Sequence, residues 1–167
     1  MEYIQKIKSP IGTLTVSSDG TNVTGLWIEG QKYFARTLEK GVLEKNVPIF
    51  ESVRDWLGVY FSGKRPNFTP PLVPKGNLFQ KSIWDILCKI PYGQTTTYGA
   101  IADEYGQANN GKPTSARAVG GAVGHNPISI LIPCHRVVGK NNDLTGYAGG
   151  LHRKKVLLKL EGVEYNV

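Results

Sequence analysis

The residues best suited to chemistry are a cysteine and the two basic side chains that follow it. Cys134 precedes His135 and Arg136 within Pro133–Val138. Positive charge beside a thiol favours the thiolate, the nucleophilic form of cysteine, so the triplet predicts a reactive thiol. Neighbouring side chains on an extended segment point to opposite faces, and help from His135 therefore requires a bend or a bridging water. A cysteine that merely fills the core is the alternative.

The remaining cysteine and histidine residues do not predict a metal site. Cys88 is the only other cysteine, no CxxC spacing occurs, and His125 and His152 are isolated. Two cysteines are too few for a disulfide framework, and we expect no metal and no cofactor. The amino terminus lacks a secretory signature and no apolar run reaches the ~18 residues of a membrane span, so we expect an intracellular, cytoplasmic protein.

The charge distribution favours polyanions in the carboxy-terminal half. The 167-residue chain has a formal net charge of +7, with nine basic and seven acidic residues before residue 75 and eleven basic and six acidic residues from there on. Hydrophobic residues make up 40% and charged residues 20%, which excludes a disordered chain. The net charges of +2 and +5 are compatible with a nucleic-acid partner.

A run of small residues surrounds Arg117, in the segment Ser115–Ala122. Small side chains allow close approach of another surface, and one interpretation is a slim helix in a DNA groove with Arg117 projecting into the duplex. Tight packing on a neighbouring helix, with Arg117 in an ordinary ion pair, is the other.

Two groups of elements must position these residues. Alternating segments at residues 3–8, 13–18 and 23–28 predict a three-stranded antiparallel meander, followed by a helix that begins at Pro48 and stops near Gly63. Four prolines between Pro66 and Pro74 mark a domain boundary, which gives domains 1–74 and 75–167.

Helices dominate the predicted second domain. Asn77 and Gln80 form a capping-box pattern before a helix that carries Cys88, and Thr97 can cap a helix over 98–105. Helices over 115–124 and 151–160 follow. The fold class is α/β (α+β): a small antiparallel sheet domain and a helical domain with a helix-turn-helix or winged-helix-like element.

Seven motifs follow one another in the second half of the chain. They are Pro91-Tyr92-Gly93, Thr97-Tyr98, Arg117-Ala118-Val119-Gly120-Gly121-Ala122, Asn126-Pro127, Ile132-Pro133-Cys134-His135-Arg136-Val137, Gly146-Tyr147-Ala148-Gly149-Gly150-Leu151 and Glu161-Gly162. In this order they resemble the motifs of the O6-alkylguanine-DNA alkyltransferases, also called methylated-DNA-protein-cysteine methyltransferases. The resemblance covers essentially the whole second domain, while the first agrees only in general architecture with the family's ribonuclease-H-like domain.

The resemblance implies repair by transfer of an alkyl group from guanine O6 to Cys134, once per protein molecule. It assigns His135, through a water, as the base, Glu161 as the group that orients the imidazole, and Tyr98 as the proton donor to guanine N3. Lys154 stands where the family has a lysine and is expected to lower the pKa of Tyr98.

The resemblance also implies how double-stranded DNA is bound by a monomer, through the minor groove with the damaged base flipped out. Arg117 would fill the vacated space, with Tyr98 crowding the 3′ phosphate and Asn126 as a hinge. The other implied contacts are Ser115, Ala116 and Gly120 toward DNA, and Val137, Tyr147, Ala148 and Gly149 around the flipped base.

Two features depart from some relatives. Ala148 replaces a serine, which leaves only a backbone amide for O6, and the loop over 107–113 is longer. The competing functions are a lesion-binding protein without transfer, a thiol hydrolase that uses Cys134, His135 and Glu161 repeatedly, and a transcription factor. Few base-reading side chains on the alanine- and glycine-rich helix argue against the last.

Overall fold

The computed structural model describes residues 1–165 and divides into two compact units. The first contains Met1–Lys75 and Pro127–Leu131, and the second contains Gly76–Asn126 and the chain from Ile132 onward. The predicted limits place the segment 127–131 in domain 75–167, but this segment lies in the first unit. It is bound there to Leu26, because the Leu26 N–H donates to the Pro127 carbonyl (2.9 Å) and the Ser129 N–H donates to the Leu26 carbonyl (2.8 Å). The last two residues of the predicted 75–167 domain lie outside the described residues.

The first unit is built on a four-stranded sheet, in the order β3-β2-β1-β4. The three predicted strands are confirmed as an antiparallel meander, but the prediction of three strands in all is wrong. A two-residue strand pairs with β1 in parallel. It is short and exposed, so it leaves no periodic pattern in the sequence. The strands are β1 Tyr3–Ser9, β2 Gly12–Ser18, β3 Val23–Ile28 and β4 Leu43–Glu44.

One helix, α1 (Pro48–Phe61), covers this sheet and contacts β1 and β2. Proline occupies its first turn, as predicted, and Gly63 follows its end with φ +87°. Its apolar face is buried, and the rings of Trp56 and Tyr60 stack with centroids 5.1 Å apart. The amphipathic pattern in the sequence therefore predicts correctly which face of α1 is buried.

Up to residue 165, the second unit contains four α-helices, all predicted. The capping box is present, since the Gln80 N–H donates to Asn77 Oδ1 (2.8 Å) and the Asn77 N–H donates to Gln80 Oε1 (3.0 Å). The side chains of Thr97 and Ser115 cap the second and third helices. The second helix runs three residues past its predicted end at Tyr105. The helices are α2 Leu78–Cys88, α3 Tyr98–Ala108, α4 Ala116–Gly124 and α5 Leu151–Leu160.

A short parallel ladder was not predicted and positions the site. Strand β5 (Thr96–Thr97) pairs with β6 (Val137–Val138), and Tyr98 begins α3 directly after β5. Two residues per strand are too few to produce a pattern. The ladder brings the start of α3 beside the segment that follows Cys134. Within residues 1–165, no helix combines the length and apolarity needed to cross a bilayer.

Candidate active site

A tight turn presents Cys134. Residues Cys134–Arg136 form a single 3-10 turn, in which the Arg136 N–H donates to the Pro133 carbonyl (3.0 Å) and the Cys134 N–H to the Ile132 carbonyl (2.8 Å). This is the bend that the sequence required if His135 is to act near its neighbour. Cys134, His135 and Arg136 are all buried, so the turn belongs to the interior of the second unit.

Glu161 organises the charged groups around this turn. It caps the carboxyl end of α5, and its Oε2 lies 2.6 Å from His135 Nε2. Its Oε1 accepts hydrogen bonds from Arg136 Nε (2.8 Å) and from the Gly93 N–H (2.9 Å). Burial alone would raise the pKa of Glu161, but hydrogen bonds from His135 and Arg136, together with the charge of Arg136 and that of His135 in its protonated form, lower it to about 2. Glu161 is therefore a carboxylate at neutral pH.

The imidazole of His135 is neutral in this arrangement. Its side chain is fully buried, and burial lowers the pKa of His135 against the opposing influence of Glu161. A neutral ring that donates through Nε2 to the carboxylate carries its lone pair on Nδ1. His135 can therefore accept a proton, and Glu161 stabilises the cation that results.

Cys134 is a buried thiol rather than a preformed thiolate. Burial raises the pKa of Cys134, and a hydrogen bond from the Asn126 side chain and the positive charge of Lys154 only partly oppose that effect. The Arg136 guanidinium binds Glu161 and donates to the Ile90 carbonyl (2.8 Å), so its effect on the thiol stays a prediction. A base is therefore needed to activate Cys134.

Asn126 links α4 to the segment that leads to Cys134. It is buried at the end of α4, and its Nδ2 donates to the Ile132 carbonyl at 2.8 Å. The same side chain hydrogen-bonds with Cys134. This position, two residues past the helix, suits the hinge role that the sequence predicts.

Lys154 and Tyr98 do not interact as expected. Lys154 is fully buried, and its Nζ donates to the carbonyls of Val137 (2.6 Å), Thr145 (3.1 Å) and Gly146 (3.3 Å). Burial lowers the pKa of Lys154 to about 8. Burial also raises the pKa of Tyr98, whose hydroxyl hydrogen-bonds with Thr145 Oγ1 (3.1 Å), so the predicted lowering of the Tyr98 pKa by Lys154 is wrong.

The outer face of α4 carries the predicted DNA contacts. Ser115, Ala116 and Arg117 are exposed, while Val119, Ala122 and Val123 face the interior. A Cβ added at Gly120 would meet the Tyr98 ring only at an ordinary 3.9 Å. Packing inside the protein therefore does not require glycine at 120.

The predicted base-pocket residues follow the Cys134 turn along the chain. Val137 is buried and its carbonyl already accepts from Lys154, Tyr147 and Ala148 are half-buried, and Gly149 is buried. The Gly150 N–H donates to the Tyr147 carbonyl at 2.9 Å, which folds 147–150 into a turn before α5. The roles of these residues stay predictions.

Sequence reasoning assigned no site role to two residues that the structure brings to the cluster. Gly93 has φ +78°, and a Cβ there would lie 3.3 Å from the Glu161 carbonyl, so only glycine suits the position that donates to the Glu161 carboxylate. Thr145 holds the Tyr98 hydroxyl. Gly93 stood in a recognised motif and could have been found there, whereas Thr145 left no signal.

Two family models together match nearly the whole chain. The one described as "6-O-methylguanine DNA methyltransferase, ribonuclease-like domain" matches residues 3–74, and "6-O-methylguanine DNA methyltransferase, DNA binding domain" matches residues 78–163.

Curated relatives and a solved structure agree with these matches. The chain is 43% identical to a methylated-DNA–protein-cysteine methyltransferase of Haemophilus influenzae over 98% of this chain and 88% of that protein, and 42% identical to one of Mycobacterium tuberculosis over 96% and 93%. It is similar to the crystal structure of Mycobacterium tuberculosis OGT in complex with DNA, with a TM-score of 0.84 and 42% identity over 95% of this chain and 92% of that one.

Proposed function

The chain belongs to the 6-O-methylguanine DNA methyltransferase family, and from that premise we propose that it repairs DNA by moving the alkyl group of O6-alkylguanine onto Cys134 Sγ. The observation that carries the choice of Cys134 is its position in a buried turn beside the His135–Glu161 pair. The only other cysteine, Cys88, is exposed on α2.

Activation of the thiol begins at His135. The Cys134 proton passes through a water to His135 Nδ1, because Nε2 is held by Glu161 at 2.6 Å. The imidazolium then lies against a carboxylate whose pKa is about 2 and which stays ionised throughout. The buried thiolate that forms is poorly solvated and strongly nucleophilic.

The transfer step exchanges one bond for another. Sγ attacks the sp3 carbon of the alkyl group, a thioether S–C bond forms, and the C–O6 bond breaks with its electrons retained by guanine. Tyr98 gives its proton to guanine N3 as negative charge develops there. The proton held by the His135 imidazolium then passes through solvent to the Tyr98 oxygen and regenerates the hydroxyl. Because a thioether has no easy leaving group, each molecule reacts once.

The outer face of α4 supplies the DNA contacts in this proposal. Its small residues, Ser115, Ala116 and Gly120, let the helix approach the minor groove, and the exposed Arg117 fills the space left by the flipped base. The net charge of the second half adds phosphate contacts that are insensitive to sequence. The protein acts as a monomer inside the cell, where DNA is its partner.

The flipped base is recognised mainly by backbone groups. The carbonyls of Cys134 and Val137 accept from the exocyclic amine, and the amide of Ala148 donates to O6. The half-buried Tyr147 forms an apolar wall, and Gly149 allows the chain to approach closely.

Intact-protein mass spectrometry tests the transfer directly. The protein is incubated with a duplex oligonucleotide that contains one O6-methylguanine, and the mass and the modified peptide are determined. We expect a gain of one methyl group on Cys134 and restored guanine in the DNA. C88S is the matched control and should react fully, while C134S should bind the duplex without a mass change.

Three results would overturn the proposal. Wild-type protein that binds the lesion and stays unmodified indicates a lesion-binding protein without transfer. Repeated turnover per Cys134 indicates a hydrolase. Methylation that persists in C134S and disappears in C88S would identify Cys88 as the nucleophile.

A further inference from the structure

Thr145 hydrogen-bonds with the Tyr98 hydroxyl and has no part in the proposed transfer reaction. The two hydroxyl oxygens are 3.1 Å apart, and either can donate. Thr145 and Tyr98 are 47 positions apart in the chain, and both are half-buried. A threonine in contact with the proton donor of a reaction is placed to influence that donor.

The backbone of Thr145 is bound by the side chain of Lys154. Its carbonyl accepts a hydrogen bond from Lys154 Nζ (3.1 Å), and the same ammonium binds the carbonyls of Val137 (2.6 Å) and Gly146 (3.3 Å). Lys154 is fully buried on α5, so this anchor is shielded from solvent. The backbone of Thr145 therefore has a hydrogen bond that does not involve Tyr98.

The Thr145 methyl group lies in space that Gly139 leaves open. A Cβ added at Gly139 would lie 2.9 Å from Thr145 Cγ2, closer than real atoms pack, so the methyl group occupies the space that glycine leaves empty. A β-branched side chain has few χ1 choices. With the methyl group against Gly139, the hydroxyl is directed to Tyr98.

We infer that Thr145 is a positioning residue for alkyl transfer: its hydroxyl fixes the Tyr98 hydroxyl and donates to Tyr98 Oη while Tyr98 gives its own proton to the leaving guanine. The inference rests on the proposed function, since it assumes that Tyr98 is the proton donor. During that step the Tyr98 oxygen gains negative charge, and a hydroxyl donor directed at it stabilises the charge.

The electrostatics of Tyr98 agree with this role. Burial raises the pKa of Tyr98 and the nearby Cys134 thiolate would raise it further, whereas the hydrogen bond with Thr145 lowers it. Thr145 is thus the group that opposes the two effects that make Tyr98 a weaker acid. Without it, proton donation to guanine becomes harder while the contacts of α4 with DNA are unchanged.

Single-turnover kinetics separate this role from a structural one. Protein in excess reacts with a duplex carrying one O6-methylguanine, and the rate at saturating protein reports transfer while the concentration dependence reports binding. We expect T145V to lower the saturating rate by about three- to tenfold, the effect of one neutral hydrogen bond, and to leave half-saturation within about twofold. T145S keeps the hydroxyl and should react within about twofold of wild type.

A double-mutant cycle with Y98F provides the decisive comparison. If Thr145 acts through the Tyr98 hydroxyl, T145V has no further effect once that hydroxyl is gone. Equal losses when T145V is added to wild type and to Y98F, or a T145S rate as low as that of T145V, would overturn the inference.

Gly139 gives an independent test that leaves Thr145 chemically intact. G139A should displace the Thr145 methyl group and slow transfer as T145V does, and G139A/T145S should recover, because serine has no methyl group to clash. Failure of the double variant to recover counts against the inference. Wild-type protein that transfers no methyl group would instead refute the proposed function, so the two failures are distinguishable.

Discussion

Replacement of Lys154 by methionine tests how much unfolding free energy is lost when the Lys154 ammonium group is buried without a carboxylate partner. Lys154 Nζ donates to three backbone carbonyls, and burial lowers the pKa of Lys154 from 10.5 to about 8. Because the folded pKa is below the unfolded one, the unfolded chain binds more protons between pH 8 and 10.5. Stability contributed by this group therefore rises with pH across that window.

The magnitude follows from the shift. Between pH 7 and pH 10, wild-type protein should gain about 2.5 kcal/mol of unfolding free energy relative to K154M, about half of it by pH 9. Urea denaturation at pH 7, 8, 9 and 10 measures the difference, which cancels the titration of groups common to both proteins. K159M, which removes an exposed lysine from the same helix, is the control and should show no such slope. A constant difference between wild type and K154M from pH 7 to 10 would refute the reasoning.

Three further substitutions test other contacts. E161Q should lower the unfolding free energy by about 3 kcal/mol or more at pH 7 in urea denaturation, because it leaves the Arg136 charge buried without its carboxylate; a loss below about 1 kcal/mol would contradict this. G25A places a Cβ against the Trp27 ring and 2.6 Å from Ser17 Oγ, and should cost about 1–3 kcal/mol, seen as a lower midpoint in thermal unfolding. W84F removes the indole donor to the Ala122 carbonyl (2.8 Å) and should cost about 1 kcal/mol or more by the same assay, and an unchanged midpoint would show that bond to be dispensable.

Most of the secondary structure could be predicted from local patterns. The meander, the five α-helices of the described residues and the capping roles of Asn77 and Thr97 follow from periodicity and from residues that satisfy free backbone groups at helix ends. Ser115, which the sequence placed inside the third helix of the second unit, caps that helix instead. The elements that were missed, β4 and the β5–β6 ladder, have two residues per strand and depend on partners far along the chain.

The sequence by itself determined which side chains were candidates for chemistry. A cysteine beside histidine and arginine, a run of small residues around Arg117 and a set of ordered motifs were enough to name the family and the expected reaction. These signals are local, because motifs and helical periods are properties of neighbouring positions in the chain.

Only the tertiary structure decided what each charged group does. Arg136, adjacent to Cys134 in the chain, binds Glu161, and Lys154 donates to three carbonyls. Thr145, to which the sequence gave no role, hydrogen-bonds with the Tyr98 hydroxyl. Protonation depends on burial and on partners brought together by folding, so the thiol at Cys134 and the carboxylate at Glu161 follow from packing rather than from residue type.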